Sequence, residues 1–242
     1  MLEFQLVLPC YNESKSLRVL VERARNAAIE AGYDSSRFKL LLVENGSLDD
    51  SSRVLEELEK TDLASWFTKV IITKNQGYGY GVLEGLKATE APVVGWSHAD
   101  QQCDPKDAFI ALRKLKDHKE GKCLVKGVRS GRNWKDKWVT YVFEFLARVI
   151  LGIKTKELNA QPKVFHRSLV DSLSAAPRNF AFDLYVLYCA IKSHYRVLTI
   201  PVLFPPRVHG VSNWASTFLG RYKTILGMVQ YMFQLSRTQG RV

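Results

Sequence analysis

The chain has 242 residues, enough to bury a substantial core as one domain without disulfide or metal support. With 46% apolar and 24% charged residues it is neither a disordered nor a fibrous chain. Its 35 Lys and Arg against 24 Asp and Glu leave a formal net charge of +11, which points to an anionic partner: nucleic acid, an anionic membrane or a phosphorylated small molecule.

The first two-thirds alternates short apolar runs with amphipathic helices. Residues 4–8 read as a buried strand. Leu17, Leu20, Val21, Ala24, Ala28 and Ala31 then recur at helical spacing, and Gly32 closes that helix. Residues 38–43 form a second apolar strand, followed by a short helix carrying Val54, Leu55 and Leu58. A third strand at 70–73 leads through a glycine-rich turn to a helix with Val82, Leu83 and Leu86. A fourth strand at 93–97 precedes a helix with Ala108, Phe109, Leu112 and Leu115, and a fifth occupies 124–128. Beyond it the pattern predicts a basic loop at 129–137 and an apolar helix at 138–151. A second helix is expected at 180–191, a strand at 197–202, a Pro/Arg/His/Gly loop at 205–214 and a last helix at 217–235. This order is that of an α/β fold, a mostly parallel sheet covered on both faces, with ligands beyond the carboxyl ends of the strands.

Cys10, Cys103, Cys123 and Cys189 form no CxxC pair, which argues against a zinc site or a disulfide framework and suggests a reducing compartment. The first seven residues lack the basic segment of a signal peptide. No run of about 18 uncharged apolar residues exists, so no transmembrane helix is expected.

The polar turns after strands one to four hold the unusual residues. Pro9-Cys10-Tyr11-Asn12-Glu13 follows the first; there Asn12 or Ser14 is suited to cap a helix. Glu44-Asn45-Gly46-Ser47-Leu48-Asp49-Asp50-Ser51 follows the second, and Glu44 is placed to accept from ribose hydroxyls or a base. Lys74-Asn75-Gln76-Gly77-Tyr78-Gly79-Tyr80-Gly81 follows the third; its alternate glycines permit close backbone approach to a ligand, but it lacks the GK[ST] ending of a P-loop. His98-Ala99-Asp100-Gln101-Gln102-Cys103-Asp104-Pro105 follows the fourth. His98 and Asp100 share one face at strand spacing, and Asp100 with oxygen donors nearby suits Mg²⁺ or Mn²⁺. Asp104 before Pro105 reads as a helix N-cap.

Taken in order, these turns resemble the PxYNE, DDGSxDGS, NxGxG and DADxQxxP blocks of family 2 glycosyltransferases, GT-A enzymes that use nucleotide-diphosphate sugars. The branch most similar is that of the dolichyl- and polyprenyl-phosphate mannose synthases, over roughly residues 4–214. Val125-Lys126-Gly127-Val128-Arg129 resembles its GSR segment, Asn159-Ala160-Gln161-Pro162-Lys163 stands where it has an SGFR-like segment, and Asp183 falls at its acidic residue near the acceptor. The segment from Arg207 through Ser212 to Trp214 resembles its RxxGxSK block. His98 replaces the first acid of the DxD motif, and Glu44 and Asn45 replace the two acids of DDGS.

The resemblance implies a GT-A catalytic domain at 1–214; the amphipathic helix at 215–242 that follows either packs on the core or touches a membrane interface or a second copy. It implies that Pro9, Tyr11, Glu13, Glu44, Asn45, Gly46, Ser47, Lys74, Gly77, His98 and Ala99 bind the nucleotide. Asp100, with Gln102 and His98, would ligate Mg²⁺ or Mn²⁺. Asp183, Asp100, Arg129 and Arg207 would be catalytic, and Arg129, Arg132, Lys137, Arg207 and Ser212 would hold an acceptor phosphate. The expected reaction is inverting transfer of a hexose from a GDP- or UDP-sugar to a polyprenyl or dolichyl phosphate. The alternative acceptor is a saccharide, with Asp183 as general base. Expected partners are the nucleotide-sugar, one of those acceptors, an anionic membrane surface at the inner face of a cytoplasmic membrane, and a second copy of the chain. Nucleic acid is not expected, because a nucleic-acid-binding protein would explain the charge but not Asp100 or the glycine turns.

Overall fold

The computed structural model describes residues 1–118, 121–131, 134–205 and 218–237. Seven strands form one sheet in the order β3-β2-β1-β4-β6-β5-β7. They are β1 (Phe4–Cys10), β2 (Phe38–Asn45), β3 (Phe67–Ile72), β4 (Val93–Trp96), β5 (Cys123–Ser130), β6 (Lys163–His166) and β7 (Arg196–Leu203). β1 pairs in parallel with β2 and β4, β2 with β3, and β5 with β7, whereas β6 runs antiparallel to both its neighbours. Every strand except β6 therefore points the same way.

The period of two along the strands sends side chains to opposite faces. Leu6, Leu8, Leu40 and Leu42 face helices α1 (Leu17–Glu30), α2 (Ser51–Leu58) and α4 (Pro105–Asp117). Val7, Leu41, Val43 and Trp96 face α3 (Tyr78–Lys87), α5 (Trp134–Leu151), α6 (Phe182–Lys192) and α7 (Phe218–Arg237). Asp104 caps α4 as its sequence indicates, its side chain accepting from the Lys106 amide, with Pro105 in the first turn.

Four features differ from the sequence pattern. β3 starts at Phe67. β5 runs on through Arg129 to Ser130, and α5 starts at Trp134, so the described part of the expected basic loop includes a strand end and a first helical turn that carries Lys137. β6 has no counterpart in the expected elements: it is four residues long and opens on a buried lysine, which breaks the apolar pattern that marks a strand. Finally, α1 has no side-chain cap from Asn12 or Ser14, because both residues bind the β2 turn instead. The expected loop at 205–214 lies outside the described residues from position 206 on, as do Arg132, Arg207 and Ser212.

β6 decides what the carboxyl edge of the sheet contains. Because it is antiparallel, its first residue, Lys163, lies opposite Trp96, the last residue of β4, on one side and opposite Lys126, midway along β5, on the other. Segment 157–162 thus joins the turns after β1, β2, β3, β4 and β5.

Candidate active site

The turns after β1 and β2 are stitched together. The Asn12 amide donates to Ser47 Oγ at 3.0 Å, and Asn12 Oδ1 accepts from the Leu48 amide at 2.8 Å. The amides of Glu13 and Ser14 donate to Ser51 Oγ and Asp49 Oδ2. Asn12 supplies this bridge from φ +58°, a conformation that asparagine tolerates better than most residues. Glu44 is buried, and its carboxylate accepts from the amides of Gly46 and Ser47, the latter at 2.6 Å. It thereby fixes its own turn. Pro9, Tyr11, Glu13 and Ser47 are half-buried along this shelf, and Lys74 is exposed at its edge.

The glycine turn is close-packed against protein. Asn45 donates to the Gly77 carbonyl at 3.1 Å. A methyl group on Gly77 would stand 2.4 Å from the Arg178 carbonyl oxygen, and one on Gly79 would stand 2.3 Å from the Pro177 carbonyl oxygen. The approach that these glycines permit is therefore to segment 177–179 of the same chain, and the Tyr80 amide donates to the Arg178 carbonyl across it. Arg178 also lies over the Tyr80 ring and donates to Gln76, while Phe180 stacks on Tyr78 at 5.2 Å.

The turn after β4 carries Asp100, which is 6% exposed and accepts from the Gln102 amide at 3.1 Å. Gln101 between them sits at φ +63°, local strain of a kind that clusters at ligand-binding sites. The Gln102 side chain donates to the Pro205 carbonyl at 2.8 Å. Ala99 is buried and His98 half-buried. Burial lowers the His98 pKa below the ordinary imidazole value against the opposing pull of Asp100 and Asp183, which favours the neutral ring. His98 lies 5.9 Å from the Tyr78 ring, between centroids.

Beneath His98 lies a network that the sequence showed only in part. Lys163 is fully buried and is ion-paired with Asp183, itself 3% exposed at the start of α6. Gln161 donates to the same Asp183 Oδ1 at 2.6 Å and approaches the Tyr78 hydroxyl, which accepts from Trp96 Nε1 at 3.1 Å. Burial lowers the Lys163 pKa, although Asp183 opposes it, and pushes the Tyr78 hydroxyl well up. One strand away, Lys126 is also fully buried and donates to the carbonyls of Gly127 and Lys156. Burial, reinforced by Lys163, brings its pKa down to about 7. Arg129 donates to Glu157 at 2.5 Å and lies over the Phe204 ring.

The structure thus brings Asp100, His98, Asp183 and Arg129 to one edge, with the shelf of Pro9 to Ser47 beside them. Lys137 lies farther along, exposed in the first turn of α5. Sequence reasoning passed over Lys163, Gln161, Tyr78, Trp96, Lys126 and Glu157 as individual residues. The available signal was a lysine inside an apolar run, at 126 and again at 163.

Among the described residues no three His, Cys, Asp or Glu side chains converge as a ready metal cage. A single buried carboxylate with a neutral imidazole nearby still fits Mg²⁺ or Mn²⁺ of the kind held mainly by substrate phosphates, because such ions take only one or two protein ligands. Among the described residues no helix is long and apolar enough to cross a membrane.

Comparison with known proteins agrees with this architecture. An undecaprenyl-phosphate 4-deoxy-4-formamido-L-arabinose transferase of Pseudomonas savastanoi pv. phaseolicola is 28% identical over 182 residues, covering 73% of this chain and 51% of that protein. The chain thus spans about half the length of that relative. An uncharacterized glycosyltransferase of Mycobacterium tuberculosis is 29% identical over 228 residues, 91% of this chain and 94% of its own. Among solved structures, the mannosyl-3-phosphoglycerate synthase of Rubrobacter xylanophilus superposes with a TM-score of 0.72 at 16% identity, covering 100% of this chain and 76% of that one. The glucosyl-3-phosphoglycerate synthase of Mycobacterium tuberculosis, in complex with Mn²⁺, UDP and glucosyl-3-phosphoglycerate, superposes with a TM-score of 0.64 at 18% identity over 97% of this chain and 79% of that one. The GT-A fold is therefore shared. The profile of Glycosyl transferase family 2 matches residues 5–174, and the chain belongs to that family.

Proposed function

We propose that this glycosyltransferase moves a hexose from a nucleotide-diphosphate sugar to a polyprenyl phosphate, with inversion at the sugar carbon. The observation that carries the choice of acceptor is the closed pair of Lys163 and Asp183. A saccharide hydroxyl needs a base to take its proton, and Asp183 is the acid at the expected place. Its Oδ1 already holds the Lys163 ammonium and the Gln161 amide, and it is 3% exposed. A phosphate monoester has a second pKa of about 6, so at neutral pH it arrives ionised and needs no base. The undecaprenyl-phosphate transferase among the relatives supports the same acceptor class.

In this reading the shelf formed by Tyr11, Glu13, Glu44, Asn45, Gly46, Ser47 and Lys74 seats the nucleoside. Glu44 shapes that seat through its grip on the Gly46 and Ser47 amides, with Pro9, Gly77 and Ala99 as its walls. Asp100, assisted by His98 and Gln102, would hold Mg²⁺ or Mn²⁺, which stabilises negative charge on a leaving diphosphate. A phosphate oxygen of the acceptor forms the new bond to the sugar C1 as the bond from C1 to the diphosphate oxygen breaks, and the nucleoside diphosphate leaves with that electron pair. Arg129 steers the acceptor phosphate from its place beside Glu157. Arg132, Lys137, Arg207 and Ser212 complete the acceptor-phosphate set. Segment 215–242 is assigned to the membrane interface or to a contact between copies.

The test is a panel of nucleotide-sugars offered with Mn²⁺ or Mg²⁺ and a short, water-soluble prenyl phosphate, the product being identified by mass. A prenyl-phosphate-linked hexose with release of one nucleoside diphosphate supports the proposal. Transfer to free sugars or oligosaccharides, with none to the prenyl phosphate, would establish the saccharide acceptor instead.

A further inference from the structure

Helix α5 presents an apolar stripe to solvent. Trp138, Tyr141, Phe145 and Val149 are 64%, 66%, 56% and 66% exposed, and Trp134, one turn earlier, is 73% exposed. At about 100° per residue all five fall within roughly 80° of the helix circumference, along about 22 Å of its length. The opposite side of the helix carries Ala147 and Leu151 into the core, with Phe143, Leu146 and Ile150 packed against it. The stripe is therefore a second apolar face on a helix whose first is already used. Soluble proteins rarely leave such a continuous patch uncovered.

Two observations identify what covers it. The first is charge. Lys137 and Arg148, both exposed, lie at one flank of the stripe, roughly 20–40° beyond Tyr141 by the same helical geometry. The acid nearest that flank, Glu144, is half-buried and accepts from the Glu157 amide at 2.6 Å. Pairing the stripe with itself in a second copy would place these cations along one seam if the helices run antiparallel, and on opposite seams if they run parallel. Among the described side chains of α5 no exposed carboxylate answers them. An anionic lipid surface answers them directly, and Trp and Tyr are suited to the boundary between headgroups and acyl chains. The second observation is position. Trp134 lies four residues beyond Ser130, within about 14 Å of the end of β5, and five beyond Arg129, within about 18 Å of it.

We infer that α5, through Trp138, Tyr141, Phe145 and Val149, seats the enzyme on an anionic membrane with the acceptor side of the site at the bilayer. This rests on the polyprenyl phosphate reading, because only a lipid acceptor requires that edge to reach a membrane. Phe233, Leu226 and Ile225 of α7, which packs on α5, are also exposed.

The test is co-sedimentation of the full chain with phosphatidylcholine vesicles, with and without phosphatidylglycerol, in the absence of donor and acceptor. The expected result is binding that strengthens with the anionic lipid and falls at least about tenfold in the Trp138→Ser/Tyr141→Ser/Phe145→Ser variant. That variant should keep the wild-type circular dichroism spectrum and the wild-type transfer rate to a short, water-soluble prenyl phosphate. It should lose transfer to a long prenyl phosphate embedded in vesicles. Wild-type protein that ignores anionic vesicles overturns the inference, as does a variant that binds them equally well. A dimer that the substitutions dissociate, without vesicle binding, assigns the stripe to self-association instead. Vesicle binding without any transfer to prenyl phosphates would leave the docking face standing and remove the proposed reaction.

Discussion

The buried pair of Lys163 and Asp183 predicts a steep and non-additive response to substitution. Lys163→Met leaves a carboxylate that is 3% exposed without its cation, and Asp183→Asn leaves a fully buried ammonium without its anion. Removing one partner of a buried ion pair costs about 3–5 kcal/mol, against a total stability on the order of 5–15 kcal/mol for a natural domain. For a chain of this size that is a fall in melting temperature on the order of 6–20 °C. The double variant has no uncompensated charge, and Gln161 can still donate to the amide carbonyl that Asp183→Asn introduces. Its loss should therefore be at least about 2 kcal/mol smaller than the sum of the two single losses. The assay is urea unfolding of the wild type, both single variants and the double variant at one pH, analysed as a cycle. Additive losses, or single losses below about 1 kcal/mol, would refute the pair as described and with it the argument that Asp183 is unavailable as a base.

Asp100→Asn should abolish the extra thermal stabilisation that a nucleoside diphosphate gains from Mn²⁺ while leaving the unliganded melting temperature nearly unchanged, which a thermal-shift titration reads directly. Gly79→Ala forces a methyl group against the Pro177 and Asn179 carbonyls and should cost about 1–3 kcal/mol in denaturant unfolding, whereas Gly227→Ala, with open space around it in α7, should stabilise by roughly 0.5–1 kcal/mol. Lys126 binds its proton less readily folded, with a pKa of about 7, than unfolded, where it takes the ordinary 10.5. Between those values the unfolded state holds more protons, so this group makes stability rise with pH across that window. Lys126→Met should flatten that rise in unfolding curves taken at successive pH values; an unchanged slope would count against the assignment.

Much of the fold was legible because its parts are local. Strand, turn and helix alternate through residue 117, and each element shows its own periodicity. The cap at Asp104 with Pro105 could be read residue by residue. β6 could not, since a four-residue strand that begins with a buried lysine has no period to detect, and its pairings with β4 and β5 are distant in sequence. The site divides the same way. Asp100 and His98 were visible as a pair at strand spacing. Glu44 was visible as an unusual acid, but its bonds to the Gly46 and Ser47 amides depend on the turn geometry. The glycines at 77 and 79 marked a close approach, yet only tertiary structure shows that segment 177–179 is what approaches. Lys163 finds Asp183 across a non-local contact, which no spacing rule reports.

The short antiparallel β6 also bears on how the chain folds. β1 and β2 pair across residues 4 and 38, a closure that one helix bridges, while β4 and β6 pair across residues 93 and 166. Closing the longer loop costs more chain entropy before any contact rewards it. The β1–β2 pairing can therefore order early, and the seam at β6 late. Amide exchange should report this as protection arising in Leu6–Leu8 and Leu40–Leu42 before Val164 and Phe165. Because Lys163 and Gln161 arrive with that seam, a half-folded chain would carry the stitched turns after β1 and β2 without the buried pair of Lys163 and Asp183.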